Sequence, residues 1–307
     1  MRIIPLASES LGVRSLSVFI ETKDIKILLD AGVSLAIRYR LLPHTLEYQA
    51  LKEARRRIKE YAKKADIITI SHYHFDHYTQ TYDSIEPKFT WSSIEEAGEI
   101  YADKQILAKD ISKNINYSQK KRGYVFNKRI KRFTDKLAFI DDKILEFGST
   151  RITVSKPLPH GEDNTPLGYV LAYTIDDGNT RLLYASDTQL LSKKSIDYII
   201  DKKPDIVITS AVPTYLRIDE KIKEEGLRNL EMLARNTKLI VDHHIMREKN
   251  SLDYIKPLRR YDVKTFAEYL GLKNNLLEAN RVELYKKFPP SNHFQQWIKN
   301  PSSLPPL

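Results

Sequence analysis

No cysteine occurs among the 307 residues. Disulfides and thiolate metal sites are thereby excluded, and any metal has to be held by His, Asp or Glu. No apolar run approaches the ~18 residues that a transmembrane helix needs. Met1-Arg-Ile-Ile-Pro-Leu6 lacks the apolar core of a signal peptide. The expected location is the cytoplasm, with no membrane partner. Glycine (10) and proline (14) are modest, and 41% of the chain is hydrophobic, which excludes a disordered chain. Methionine is scarce while charged residues reach 29%, a balance that fits a heat-adapted protein with surface ion pairs.

Acidic residues are short in one place. Of a net charge of +10, the segment 113–136 carries a disproportionate share. Nine Lys or Arg stand there (113, 120, 121, 122, 128, 129, 131, 132 and 136) against one acid, Asp135, so nine minus one leaves +8. A solvated helical face accommodates such a run. So does an anionic partner, either a phosphorylated substrate or nucleic acid. Tyr117, Tyr124, Phe126 and Phe133 interleave the charges. Such rings can stack on bases, but the buried face of the helices is the expected place for them.

Ile3–Pro5, Ser15–Glu21 and Lys26–Leu29 read as strands, with a hairpin turn at Lys23-Asp24. Leu51, Ala54, Ile58, Tyr61 and Ala65 fall three and four apart and predict a helix over 46–65. Asp66-Ile-Ile-Thr-Ile70 is a β-branched run typical of a buried strand. Ser92 with Glu95 suggests a capped helix through Lys109, and a second helix covers much of 118–134. Strands follow around 139–145, 150–155, 169–175 and 181–185, with turn chemistry at Asp177-Gly178. Helices at 193–202 and 220–235 flank a strand at 205–209, and 239–241 is a further strand. Lys63–Ser71 echoes Lys202–Ser210, two similar helix-to-strand junctions.

The informative stretch is Ser71-His-Tyr-His-Phe-Asp-His77, which holds three of the eight histidines. On extended backbone alternate side chains point the same way, so His72 and His74 converge. Asp76 and His77 reach a neighbouring point if the chain curls. Further candidates each follow an apolar run: Asp30, His160, Asp187 and the Asp242-His243-His244 triplet. They could gather at one rim of a sheet assembly. His44 and His293 match no pattern and read as surface or capping residues.

An early Asp, a His-x-His-x-Asp-His loop, a later His, a later Asp and a final His, in this order, resemble the metallo-β-lactamase superfamily. The resemblance spans Asp30 to His243 and is closest to uncharacterised archaeal predicted metal-dependent hydrolases. It implies a four-layered αβ/βα sandwich of the α/β class, here a single domain over 1–307 with 78–138 as a mostly helical cap insertion. It implies His72, His74 and His160 on a first divalent metal ion, and Asp76, His77 and the final His on a second. Asp187 would bridge them. Asp30 would orient the loop through hydrogen bonds, and Asp76 would help steer protons; these two are the catalytic candidates. Either His243 or His244 supplies the final His. His243 is preferred, because Arg247 four residues on resembles the Thr-His-x-x-x-Arg pattern of some superfamily ribonucleases. The chain departs from the family at Tyr78-Thr79, where a Gly is common.

Two such metals about 3.5–4 Å apart can share a hydroxide that attacks carbon or phosphorus. With only N and O ligands zinc is the leading cofactor, with manganese or iron as substitutes. The expected activity is hydrolysis of a small anionic ester or phosphodiester. The alternative is a nuclease of the same fold that grips RNA or DNA through 113–136. A third reading is a non-hydrolytic metal protein, either an iron oxygen-chemistry enzyme or an inert scaffold.

Overall fold

Alternation along short apolar strands sorts side chains onto two faces of each sheet, and the fold follows from where those faces go. The computed structural model describes residues 1–83, 87–301 and 305–307. Among these residues, six strands form a first sheet in the order β1 (Arg2–Ser8), β2 (Leu16–Glu21), β3 (Lys26–Leu29), β4 (Ile67–Ile70), β5 (Gln105–Ala108) and β6 (Leu137–Phe139). The first three are antiparallel, with Ile20 opposite Ile27; from β3 onward the pairing is parallel. Helix α1 (Thr45–Lys64) joins β3 to β4, and α2 (Pro87–Thr90), α3 (Ile94–Tyr101) and α4 (Tyr117–Ile130) follow.

The second sheet is built alike. Its strands are β7 (Ile144–Phe147), β8 (Thr150–Val154), β11 (Tyr173–Asp176), β12 (Arg181–Tyr184), β13 (Ile206–Thr209), β14 (Lys238–Val241) and β15 (Val263–Lys264), in the order 15-14-13-12-11-8-7. It is antiparallel up to β12 and parallel beyond it. The short pair β9 (Leu158–Pro159) and β10 (Tyr169–Val170) stands beside it. Helix α5 (Lys193–Asp201) joins β12 to β13, and α6 (Glu220–Asn236) joins β13 to β14.

Three apolar layers hold these parts. Val18, Ile27, Leu29 and Ile67 of the first sheet meet Ile152, Ile175, Leu182 and Ile208 of the second. Leu28, Ile68 and Ile70 face outward onto Leu51, Ala54 and Ile58 of α1 and Phe126 of α4. Leu183, Val207 and Leu239 face Ile196, Ile199, Leu230 and Leu233 of α5 and α6. The result is helix, sheet, sheet, helix: the four-layered αβ/βα sandwich. No helix among the described residues is long and apolar enough to cross a membrane.

Several elements differ from the sequence reading. The helix expected through Lys109 ends at Tyr101, Asp103 takes a left-handed φ of 62°, and Gln105–Ala108 becomes β5. A four-residue apolar run has no period long enough to separate helix from strand. The strand expected at 139–145 is two strands in different sheets, parted by a turn with Asp142 at φ 59°. The 78–138 stretch, expected as a mostly helical cap, supplies β5 and β6 to the first sheet, and its helices α3 and α4 lie on that sheet's outer face. Of the four rings within 113–136, Phe126 is buried as expected, but Tyr117 and Tyr124 are 83% and 61% exposed. His44 is the N-cap of α1, in a reciprocal capping box with Glu47, and His293 is exposed. The echoing segments occupy equivalent places: one runs from α1 into β4, the other from α5 into β13.

Candidate metal centre

The carboxyl ends of parallel strands are where loops of an α/β sheet converge. Asp30 follows β3, Ser71-His72 follows β4, Asp187 follows β12 and His243 follows β14. The backbone bends sharply there: Asp30, Ser186 and His243 hold φ of 52°, 47° and 63°. Ordinary side chains rarely adopt this left-handed region. The loop after β4 also needs room. A Cβ on Gly32 would lie 2.1 Å from the Tyr78 backbone nitrogen, so only glycine lets the histidine loop pass.

One carboxylate oxygen is the focus of the site. Asp187 Oδ2 lies 3.1 Å from His77 Nε2, 3.1 Å from His244 Nε2, 3.3 Å from His243 Nε2, 3.4 Å from His160 Nε2 and 3.8 Å from His72 Nε2. His74 completes the ring, its Nδ1 3.0 Å from His72 Nε2. Asp76 Oδ2 stands 3.6 Å from His243 Nε2. Two adjoining sets result: His72, His74, His160 and Asp187 form one, and Asp76, His77 and His243 the other. His244 joins Asp187 and His243 in a third set, so both histidines of the triplet reach the centre. Asp30 groups with His72 and His77.

Nitrogens that face away from the centre are held by the protein. His77 Nδ1 meets Asp30 Oδ2 at 2.8 Å, and His243 Nδ1 meets Glu9 Oε2 at 2.8 Å. His244 Nδ1 meets the Tyr215 hydroxyl at 3.0 Å, and His160 Nδ1 meets the Gln189 amide at 3.2 Å. Such outer bonds fix ring orientation and tautomer and aim the remaining nitrogen inward. Asp30 is saturated from within: it accepts from the Ser71 backbone NH at 2.8 Å, the Ser71 hydroxyl at 2.5 Å and the Tyr184 hydroxyl at 2.8 Å. It is therefore placed to orient rather than to touch a substrate.

Among the buried polar atoms that have no hydrogen-bond partner within the described residues, two belong to the grouped side chains, Asp187 Oδ1 and His160 Nε2. Buried polar atoms are ordinarily paired. An N/O donor set with orphaned, inward-facing atoms fits a divalent cation such as zinc.

Electrostatics sort the ring. Burial pushes His72 and His74 well below the usual histidine range, and the crowding of neighbouring imidazoles adds to it. Burial opposes a proton on His77 too, but Asp187 and Asp30 outweigh it and the pKa rises well above its ordinary value. His243 is pushed up to about 9, burial being overcome by Asp187 and Glu9. Burial resists ionisation of Asp76, yet His77, His243 and Arg247 prevail and keep its carboxylate charged. Arg247 sits within this web, donating to Glu9 at 2.6 Å, to Tyr215 at 2.9 Å and to Asp76 at 3.3 Å.

Most of the ring is buried, but His74, Phe75 and Asp76 are partly exposed, so the centre opens on that side. Tyr78 turns away into the core, its ring 5.5 Å from that of Phe126. Its bulk does not occlude the opening. Sequence reasoning missed Glu9, Gln189, Tyr184 and Tyr215. Glu9 lies 234 residues from the histidine it touches, and no local pattern links them.

Comparisons with known proteins bear on the family and the fold. Residues 26–223 match the family model described as the beta-lactamase superfamily domain. A UPF0282 protein of Pyrococcus abyssi is 46% identical over 291 residues, covering 93% of each chain. Among solved structures, an isothiocyanate hydrolase from Delia radicum gut bacteria aligns with a TM-score of 0.53 and 15% identity, over 86% of this chain and 96% of that one. The metallo-beta-lactamase fold protein YhfI of Bacillus subtilis aligns with a TM-score of 0.51 and 16% identity, over 86% and 94%.

Proposed function

This chain belongs to the family of the beta-lactamase superfamily domain, and from that premise we propose that it hydrolyses a phosphodiester or another anionic ester with two divalent cations, zinc foremost and manganese or iron as substitutes. The observation that carries this reading is the crowding of five imidazole nitrogens within 3.1–3.8 Å of one Asp187 oxygen. A carboxylate alone needs far fewer donors, and its second oxygen has none.

His72, His74 and His160 are assigned to one cation, Asp76, His77 and His243 to the other, and Asp187 to both. His244 stands beside the second, kept in place by Tyr215. Cations bound there would supply Lewis acidity, lowering the pKa of a water toward ~7 and neutralising charge on a substrate oxygen.

The protein supplies the rest. Asp76, held ionised by its cationic neighbours, accepts a hydrogen bond from a water or a substrate but has no proton to give. Glu9 and Asp30 keep His243 and His77 in register. Arg122 of α4 stands over the Phe75 ring at 5.0 Å beside the partly exposed rim. No carboxylate among the described residues pairs with it within 4.0 Å, so its charge orients an anionic substrate toward the opening.

The test is direct. The full-length protein is loaded in turn with zinc, manganese and iron, its metal content is counted, and bis(p-nitrophenyl) phosphate and p-nitrophenyl esters are offered. Two ions per chain with turnover of the diester support the reading. No turnover with any of the three metals overturns it.

A further inference from the structure

Helix α4 has two unlike faces. Gln119, Gly123, Phe126 and Ile130 are buried. This inner face sits tightly on the histidine loop: a Cβ on Gly123 would approach the Tyr73 ring to 2.8 Å, and the Gln119 side-chain oxygen accepts from the Tyr73 backbone NH. Tyr73 stands between His72 and His74. The helix is therefore a rigid extension of the metal-centre loop.

The outer face carries Tyr117, Lys120, Lys121, Tyr124 and Lys128, all exposed. At ~100° per residue these five cluster on one side of the helix. Elsewhere, exposed helices mix paired and unpaired cations: Arg56 meets Glu53 and Glu60, Lys193 meets Asp197 and Arg235 meets Glu231, while Lys52, Lys194 and Lys221 have no carboxylate within 4.0 Å among the described residues. Helix α4 contains five cations and no acid, and none of its cations has a carboxylate within 4.0 Å among the described residues. Unrelieved repulsion of this kind destabilises the folded chain. A bound polyanion relieves it.

The two tyrosines define which polyanion. They lie seven residues apart, about 10.5 Å along the axis, which is roughly three stacked nucleotides at 3.4 Å each. Beside Tyr124 a hollow of ≈ 430 Å³ is lined by Val125, Lys128, Arg129 and Arg132. That volume suits a small planar group, since ligand clefts run from roughly 300 to 1,000 Å³. The flank of the helix continues toward the centre: Arg129 covers the Tyr82 ring at 5.3 Å, and Arg122 covers Phe75 next to the His74–Asp76 rim.

We propose that α4 binds single-stranded nucleic acid, with Tyr117 and Tyr124 stacking on its bases and Lys120, Lys121 and Lys128 meeting its phosphates, and that its flank directs the strand past Arg122 to the metal centre. Cleavage of that strand rests on the hydrolase reading above; the binding does not.

The experiment measures fluorescence anisotropy of the full chain with labelled single strands of about 16 nucleotides, RNA and DNA separately, made with uncleavable phosphorothioate linkages. Stacking is worth ~1–3 kcal/mol per base, so Tyr117→Ala with Tyr124→Ala raises Kd at least about tenfold. Each lost phosphate contact lowers the salt slope by about 0.7, so changing Lys120, Lys121 and Lys128 to Gln lowers it by about 2. Both variants keep the wild-type turnover of bis(p-nitrophenyl) phosphate and melt no lower than wild type. The RNA and DNA arms report which sugar is preferred, and either supports the proposal. A Kd unchanged by the tyrosine pair, equal competition by heparin, or tighter binding to anionic vesicles overturns it. Tyrosine-dependent binding in a protein that turns over no diester sustains this proposal and sinks the hydrolase reading alone.

Discussion

The two halves of the sandwich repeat one scaffold and load it differently. In the first, α1 runs into β4, and the loop beyond β4 holds His72, His74, Asp76 and His77 within six residues. In the second, α5 runs into β13, and the equivalent position holds Ser210-Ala-Val-Pro213, with none of the grouped side chains. Here the contributions come singly, His160 after β9, Asp187 after β12 and His243 with His244 after β14. One half brings a ready-made cluster; the other brings reach. The centre exists only where the halves meet, so neither half alone can assemble it.

The largest effect that sharpens this contrast is at Asp187. Asp187→Ala lowers kcat/KM by roughly 10³-fold or more, the range for losing a core catalytic group. Elemental analysis finds both ions depleted, whereas Asp76→Ala retains close to one. Equal loss from the two variants would break the division of labour between the halves.

Next come the carboxylates that hold the imidazoles from behind, Asp30 in the first half and Glu9 facing the second. Glu9→Gln and Asp30→Asn each weaken metal affinity about 10- to 100-fold, read by competition with a chelator. Asp30→Asn has the larger effect, because that carboxylate also accepts from Ser71 and Tyr184.

The finest probe is the pair of echoing serines. Ser71 donates to Asp30, while Ser210 Oγ is buried with no partner among the described residues. Ser71→Ala costs ~1–3 kcal/mol, the range for orphaning a buried partner. Ser210→Ala changes stability by less than about 0.5 kcal/mol, because it breaks no bond. Denaturant unfolding of the two variants checks this; equal costs would mean that the junctions are alike in more than shape.

The same contrast explains what was legible in the chain. The first half's candidate ligands are clustered in sequence, so strand geometry alone suggests that His72 and His74 converge. The second half's candidate ligands show only as polar residues after apolar runs, and their order carries them. Glu9, Gln189 and Tyr215 leave no such trace, since a residue that supports a ring from behind needs no spacing relative to it. Strand β5 is hidden because Gln-Ile-Leu-Ala is too short to show a period, and its pairing with β4 decides the matter. The exposure of Tyr117 and Tyr124 depends on which side of α4 meets the histidine loop. Gly123 makes that choice by letting the helix approach Tyr73, a contact between distant segments.

The left-handed backbone at Asp30, Ser186 and His243 has a consequence for how this protein ages in evolution. A side chain in that conformation costs about 1–2 kcal/mol, and glycine would remove the strain. Two of the three side chains are ones that build or brace the candidate centre, so relief of backbone strain and retention of the centre pull against each other at the same peptide units. Glycine at Asp30 would relieve the bend but orphan Ser71, His77 and Tyr184, so drift there is opposed even in a copy that has lost its chemistry.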